Sequence, residues 1–314
     1  MNGVYPVYFV WETGLKETVQ DIVGAAIPKR GERGAPTDLA IEKLARNGGK
    51  QVWSQMKKSA QKTADADGGA RLVAELAGKL WKATRGTVEF HALGHSAGSI
   101  FHAFFLPLLV AQKPAGVAPV DVRTLHFLAP ASTTDLFKKR LKPLIGPGQP
   151  ITSLTMYTMN DELEQDDSSI RAYGKSLLYL VTNAFEDAVP TPILGLQKNL
   201  KQDLPLIRFF GLAGTEKVAD IVFSQTSDAA PLNARSQSIK HGGFDNDIAT
   251  MTSVIRRVLD VSDAQPVVDY FEESVAGFEK PPVGTAPPAS AGKGARGAES
   301  RRRKPARSAS PKKR

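Results

Sequence analysis

The sequence predicts an α/β fold, a mostly parallel twisted sheet flanked by helices, followed by a disordered basic tail. Three observations carry that expectation. Residues 88–109, VEFHALGHSAGSIFHAFFLPLL, read as an apolar strand, a sharp glycine-flanked turn and a helix apolar over most of its circumference. Along the rest of the chain short strand-like runs alternate with helical ones, which implies parallel strands joined by crossover helices. Beyond residue 279 the composition turns to Pro, Ala, Gly, Ser and basic residues with no apolar period, a stretch that cannot bury enough surface to offset the entropy of ordering. One domain over residues 1–279 and a tail over 280–314 follow.

Taken in order, residues 4–10 (VYPVYFV) are rich in aromatic and β-branched side chains and predict a strand, with residues 11–14 as a short loop. A helix carrying Leu15, Val19, Ile22 and Val23 on one face comes next, then a loop at 28–36 rich in Gly, Pro and charge. An amphipathic helix is expected from Asp38 to about Lys62, weakest at Gly48-Gly49, and another over 70–83 burying Leu72, Val73, Leu76 and Leu80. After the apolar helix, residues 122–129 and 151–159 predict buried strands, with a short basic helix over 137–145 between them. An acidic segment at 160–167, a helix over 173–185 and an irregular excursion at 189–204 lead to a strand at 206–212. A polar loop to Lys240, the run HGGFD and a helix bearing Ile248, Met251, Val254, Ile255 and Val258 complete the domain.

Composition limits what this chain can do. It has 314 residues, a formal charge of +9 and no cysteine, so it forms no disulfide and holds no thiol nucleophile or thiolate metal site. Residues 280–314 hold eleven Lys and Arg against Glu299 alone, which leaves thirty basic and thirty-one acidic residues in the near-neutral body. Any binding to nucleic acid or an anionic membrane is therefore expected of the tail, through RRRK and PKKR, and to weaken with salt. No run approaches the ~18 continuous apolar residues of a membrane span, and no signal-peptide pattern opens the chain, so a cytoplasmic location is expected. Dinucleotide fingerprints, phosphate-cradling loops and clustered metal ligands are absent from the sequence, so no cofactor or metal is expected.

The turn Gly94-His95-Ser96-Ala97-Gly98 carries the chemistry. A serine held at a strained strand-to-helix turn projects its hydroxyl into a cleft, provided that the residues two before and two after it are small. Such a hydroxyl needs an imidazole as base, and the imidazole needs a carboxylate to fix its tautomer. Of the five histidines, His91 and His126 lie in strands, His95 in the turn and His102 on the apolar helix. His241, in a glycine-flanked loop after the last strand, is the expected base. Asp161, at the end of a strand beyond the turn, is the expected acid, with Asp135, Glu162, Glu164, Asp166 and Asp167 as alternatives. An oxyanion would be met by the N–H of Ala97 and by a second donor, Trp11 or Glu12, from the first loop.

GHSAG after an apolar strand, an Asp at the end of a later strand and HGGF before the last helix resemble the α/β-hydrolase superfamily over residues 4–261. YFVWETGL and SLLYLVTNAFE also resemble poorly characterised bacterial branches of it. The resemblance implies a serine esterase or lipase-like hydrolase acting on a small-molecule acyl substrate, with Ser96, His241 and Asp161 as nucleophile, base and acid. Amide cleavage or acyl transfer are chemical neighbours, and the alternative class is a catalytically inactive binding module. One departure stands out. Full hydrolase sheets begin two strands earlier, so the resemblance implies either a minimal sheet or an incomplete N-terminus.

Overall fold

The computed structural model describes residues 2–9, 15–25, 38–111, 119–167, 169–170, 172–214 and 216–267. Among the described residues four strands run parallel in the order β1-β2-β3-β4, namely β1 Phe90–His95, β2 Val122–Leu128, β3 Ile151–Met159 and β4 Asp220–Ser224. The helices are α1 Leu15–Ala25, α2 Asp38–Lys62, α3 Gly69–Ala83, α4 Gly98–Val110, α5 Thr134–Arg140, α6 Asp161–Gln165, α7 Leu177–Leu180, α8 Gln197–Leu200, α9 Leu204–Phe210 and α10 Ile248–Leu259.

The strand period of two explains the layering. On β3, Leu154 and Met156 join Phe101, Phe105 and Leu106 of α4 and Ala70 and Ala74 of α3 in one core. The opposite parity, Tyr157 and Met159, packs with Phe244 and with Val254 of α10. Both faces are thus covered by helices, and the buried Tyr157 hydroxyl ties β3 to Ser253 of α10 at 2.8 Å. Full burial of side chains such as Leu125 and Phe127 is worth roughly 1.5–3 kcal/mol each.

The long helix α2 runs unbroken through Gly48-Gly49. A Cβ at Gly49 would lie 2.0 Å from the Phe185 ring, so the glycine there admits an aromatic ring that no larger residue would allow. Phe185 ends a stretch, Val181–Phe185, wound as a single π turn after α7, so the helix expected over 173–185 begins only at Leu177. The short basic helix between β2 and β3 starts earlier than its apolar residues suggest, at Thr134, because Thr133 caps it by accepting the Leu136 N–H.

Three expectations fail for physical reasons. Residues 4–9 form no strand: Pro6 offers no ladder N–H, and Val4, Tyr5, Val7 and Tyr8 are all exposed, so no face is buried. Residues 206–212 are not a strand but most of α9, which Asp203 caps through the Leu206 N–H and Gly211 ends at φ +66. Its Leu206, Phe209 and Phe210 are buried at helical spacing, and the fourth strand is instead Asp220–Ser224, inside the expected polar loop. On α3 the small residues Ala70, Ala74 and Gly78 face the core, while Leu72, Leu76 and Leu80 stay about half exposed.

The excursion at 189–204 is packed, not open. Ile193, Leu194 and Leu196 are fully buried, and Leu194 N–H and Gly195 N–H donate to the carbonyls of Ser132 and Pro130. The chain divides into units Met1–Val275 and Ala276–Arg314, and the second, with the whole of the expected tail at 280–314, lies outside the described residues. No helix among the described residues is long and apolar enough to cross a membrane.

Candidate functional site

The turn between β1 and α4 is built from backbone hydrogen bonds that leave the serine little freedom. Ser96 N–H donates to Leu128 O at 2.8 Å, and the Ser96 carbonyl accepts from Ala131 N–H at 3.0 Å and from the Ser99 hydroxyl at 2.7 Å. Ser99 Oγ in turn accepts Ser132 N–H at 3.0 Å, which joins the turn to the loop after β2. So held, Ser96 sits at φ +50, a left-handed conformation that costs a non-glycine residue roughly 1–3 kcal/mol. A Cβ on Gly94 would come within 2.7 Å of His102 and 3.0 Å of the Gly98 backbone, so strand and helix touch through that position. Gly98 differs, for a Cβ there would meet nothing within 4 Å.

Opposite the serine stands the loop after β4. His241 is 5% exposed, and its Nε2 lies 2.9 Å from Ser96 Oγ. Its backbone N–H donates to Asp167 Oδ2 at 2.8 Å, and Asp167, almost fully buried, also accepts from the N–H and hydroxyl of Ser169. His241 Nδ1 is buried with no hydrogen-bond partner among the described residues. Burial, with a smaller push from the neighbouring His95, holds the imidazole down to about 3, against a weaker upward pull from Asp245.

His95 braces this loop. Its Nε2 bonds the His241 carbonyl at 2.9 Å, its Nδ1 lies 3.5 Å from Asp245 Oδ2, and the two imidazole rings are 5.6 Å apart. Burial pushes the Asp245 carboxyl up, yet bonding to His95 outweighs it and brings the group below its ordinary value. Asp247, two residues on, caps α10 through Thr250 N–H at 3.0 Å. Among the described residues no group of three or more His, Asp or Glu converges as a metal site.

Comparison with protein-family models, curated proteins and solved structures finds no match to this chain. The chemistry of the site rests on its own geometry.

The structure brings Ser96 and His241 together. It does not bring Asp161 to the imidazole: that carboxylate, in the first turn of α6, accepts the Tyr179 hydroxyl at 3.1 Å and shares no hydrogen bond with His241. Asp135 has a side chain 90% exposed and pairs with Lys138. Glu162 and Asp166 make no hydrogen bond to the site. Glu164 is fully buried against the Ser176 hydroxyl, and burial pushes its carboxyl up to about 8, so it stands protonated at neutral pH. Among the acidic residues of 160–167 only Asp167 reaches the residue that carries the base. The sequence offers Asp167 only as one alternative among several acids, because it lies just past a five-residue helix whose length no apolar period announces. Ala97 follows the serine directly, and its N–H meets no backbone acceptor among the described residues. Trp11 and Glu12 lie outside the described residues.

His91, His102 and His126 are packed side chains. They bond Thr124 Oγ1, Leu93 O and Thr124 Oγ1 at 2.8, 2.9 and 2.9 Å, and burial lowers all three, His102 to about 4 and His126 to about 3.

Proposed function

We propose that this protein is a serine hydrolase that cleaves a carboxylic ester through an acyl-enzyme, on a fold similar to the α/β-hydrolases. The observation that carries the reading is the 2.9 Å contact between Ser96 Oγ, held at φ +50, and the neutral, buried His241 imidazole. His241 Nε2 takes the hydroxyl proton as Oγ bonds to the ester carbonyl carbon, and the carbonyl π electrons move to oxygen. The N–H of Ala97, directly after the serine, meets that oxyanion. Collapse of the tetrahedral species breaks the bond to the alcohol, which leaves with the proton from His241. Water then repeats the sequence on the acyl-Ser96 and releases the acid.

For the carboxylate, the reading favours Asp167 over Asp161. A carboxylate bonded to the backbone N–H of the base fixes the loop that carries the ring, and Asp167 is the one so placed. The His95–Asp245 pair fixes the same loop through the His241 carbonyl.

The test is turnover of p-nitrophenyl acetate at pH 8. The wild type should hydrolyse it, and Ser96→Ala and His241→Ala, both folded by circular dichroism, should lose at least about 10³ in kcat. A folded wild type with no turnover of short esters between pH 5 and 9 would instead make the fold a binding module.

A further inference from the structure

A second built site lies at the other end of the sheet. Arg123, Thr124, Ser153, Arg256, Arg257 and Asp260 are among the residues that line a cavity of about 300 Å³. Its floor is the amino ends of β2 and β3, and its wall is the last turn of α10. Leu128, whose carbonyl holds Ser96, is four to five residues further along β2, so the cavity stands about 15 Å from the serine along the sheet.

Arg256 is the unusual residue. It is 94% buried by its 6% exposure, yet it pairs with no carboxylate among the described residues. Its Nη1 donates to the carbonyls of Ser262 and Gln265, both at 3.0 Å, and its buried Nε has no hydrogen-bond partner among the described residues. A buried guanidinium supported only by neutral carbonyls keeps an uncompensated charge, which is costly unless a counter-ion arrives. Two more guanidiniums line the same cavity. Arg257 bonds Asp220 and the Asn233 carbonyl, and Arg123 lies 3.2 Å from Asp260 Oδ2 and 3.8 Å from Glu89 Oε1, so of the three guanidiniums Arg256 is the one with no carboxylate partner among the described residues. After burial, Arg257 contributes to the depression of His126, while at His91 the upward pull of Glu89 stands ahead of the downward push of Arg123.

We propose that this cavity binds a small phosphate-type oxyanion, either free phosphate or a phosphate monoester. Planar guanidinium forks match phosphate oxygens, and a cavity of about 300 Å³ is at the lower end of pockets that hold small molecules. Asp260, with a side chain 82% exposed, competes for Arg123, but an exposed ion pair of that kind is worth little and yields to a ligand.

The experiment titrates the full-length protein with inorganic phosphate, with potassium chloride at matched ionic strength as reference, following heat of binding and melting temperature. Phosphate should bind saturably, Arg123→Gln should weaken it at least threefold and Arg256→Gln at least tenfold. The basic tail is identical in all three proteins, so it cannot produce those differences. Where Arg256→Gln fails to fold, Arg123→Gln, changed at a half-exposed side chain, carries the comparison alone. A parallel titration with glycerol phosphate separates the sources: tenfold tighter binding than inorganic phosphate assigns a phosphorylated metabolite, and equal binding assigns the free ion. Chloride reproducing the phosphate effect, or Arg123→Gln binding like the wild type, overturns the proposal.

Discussion

Acidification should unfold this protein through its buried histidines. Burial keeps His102 neutral in the fold down to about pH 4, and His126 and His241 to about pH 3, while in the unfolded chain all three take up protons near 6.5. Each therefore contributes stability that is present above 6.5 and drains away as pH falls toward the folded value, at about 1.4 kcal/mol per pH unit. Glu164 acts oppositely. Held up to about 8 in the fold, against 4.5 unfolded, it contributes stability present at low pH and lost as pH rises through 8. From pH 6.5 to 5 the three histidines cost about 5 kcal/mol together and Glu164 returns about 2, a net loss of about 3 kcal/mol. That is a large part of the 5–15 kcal/mol that holds a typical domain. Urea midpoints at pH 6.5 and 5, at constant ionic strength, measure it directly. His126→Gln should remove one histidine's share and cut the loss to about 1.5 kcal/mol. A midpoint that is unchanged or higher at pH 5, or a His126→Gln protein with the wild-type pH dependence, would refute the reasoning.

Other consequences follow from the same geometry. Because a depressed imidazole is already unprotonated at neutral pH, ester turnover should stay flat from pH 6 to 9 and fall only on further acidification; a pH–rate profile rising through 7 would contradict this. Asp167→Ala, which takes the acceptor from the His241 backbone N–H and frees the loop that carries the base, should lower kcat by about 10² while Asp161→Ala stays within a few-fold of wild type, and steady-state kinetics of the two variants decide between them. Gly94→Ala forces a Cβ into His102 and the Gly98 backbone, so it should cost roughly 1–3 kcal/mol in denaturant unfolding, whereas Gly98→Ala, with open space at its Cβ, should cost less.

Where a strand or helix announces itself by its own residues, the sequence was readable. The run from β1 through the Ser96 turn into α4 was legible because an apolar strand, a glycine pair and a long apolar helix are local signals, and β2, β3, α1, α2 and α10 were legible for the same reason. β4 was not, for Asp220–Ser224 is short and polar at both ends and becomes a strand only by pairing with β3. Residues 206–212 misled in the other direction: an aromatic, β-branched run reads as a strand, while Asp203, Pro205 and Gly211, the start and stop signals of a helix, lie just outside or at its edge. On α3 the leucines were the conspicuous residues, but the alanines let the helix approach the sheet, and close approach decided which stripe is buried. At the site, Ser96 and His241 could be singled out because a serine between glycines and a histidine in a late loop are each distinctive. The carboxylate could not, since six acids crowd residues 135–167 and the fold of α6 and its exit alone selects the one that meets the His241 backbone.

The central claim is that Ser96 is a nucleophile activated by His241, and covalent labelling tests it without knowledge of the substrate. A fluorophosphonate probe forms a phosphonyl–Oγ bond and expels fluoride only at a serine whose proton can be taken. Incubated with the full-length protein at pH 8 and followed by intact mass and peptide mapping, it should add once, on the peptide holding Ser96. It should add not at all to Ser96→Ala and at least about 10²-fold more slowly to a folded His241→Ala. Labelling that persists in Ser96→Ala, or a wild-type protein that never takes the probe, would contradict the account.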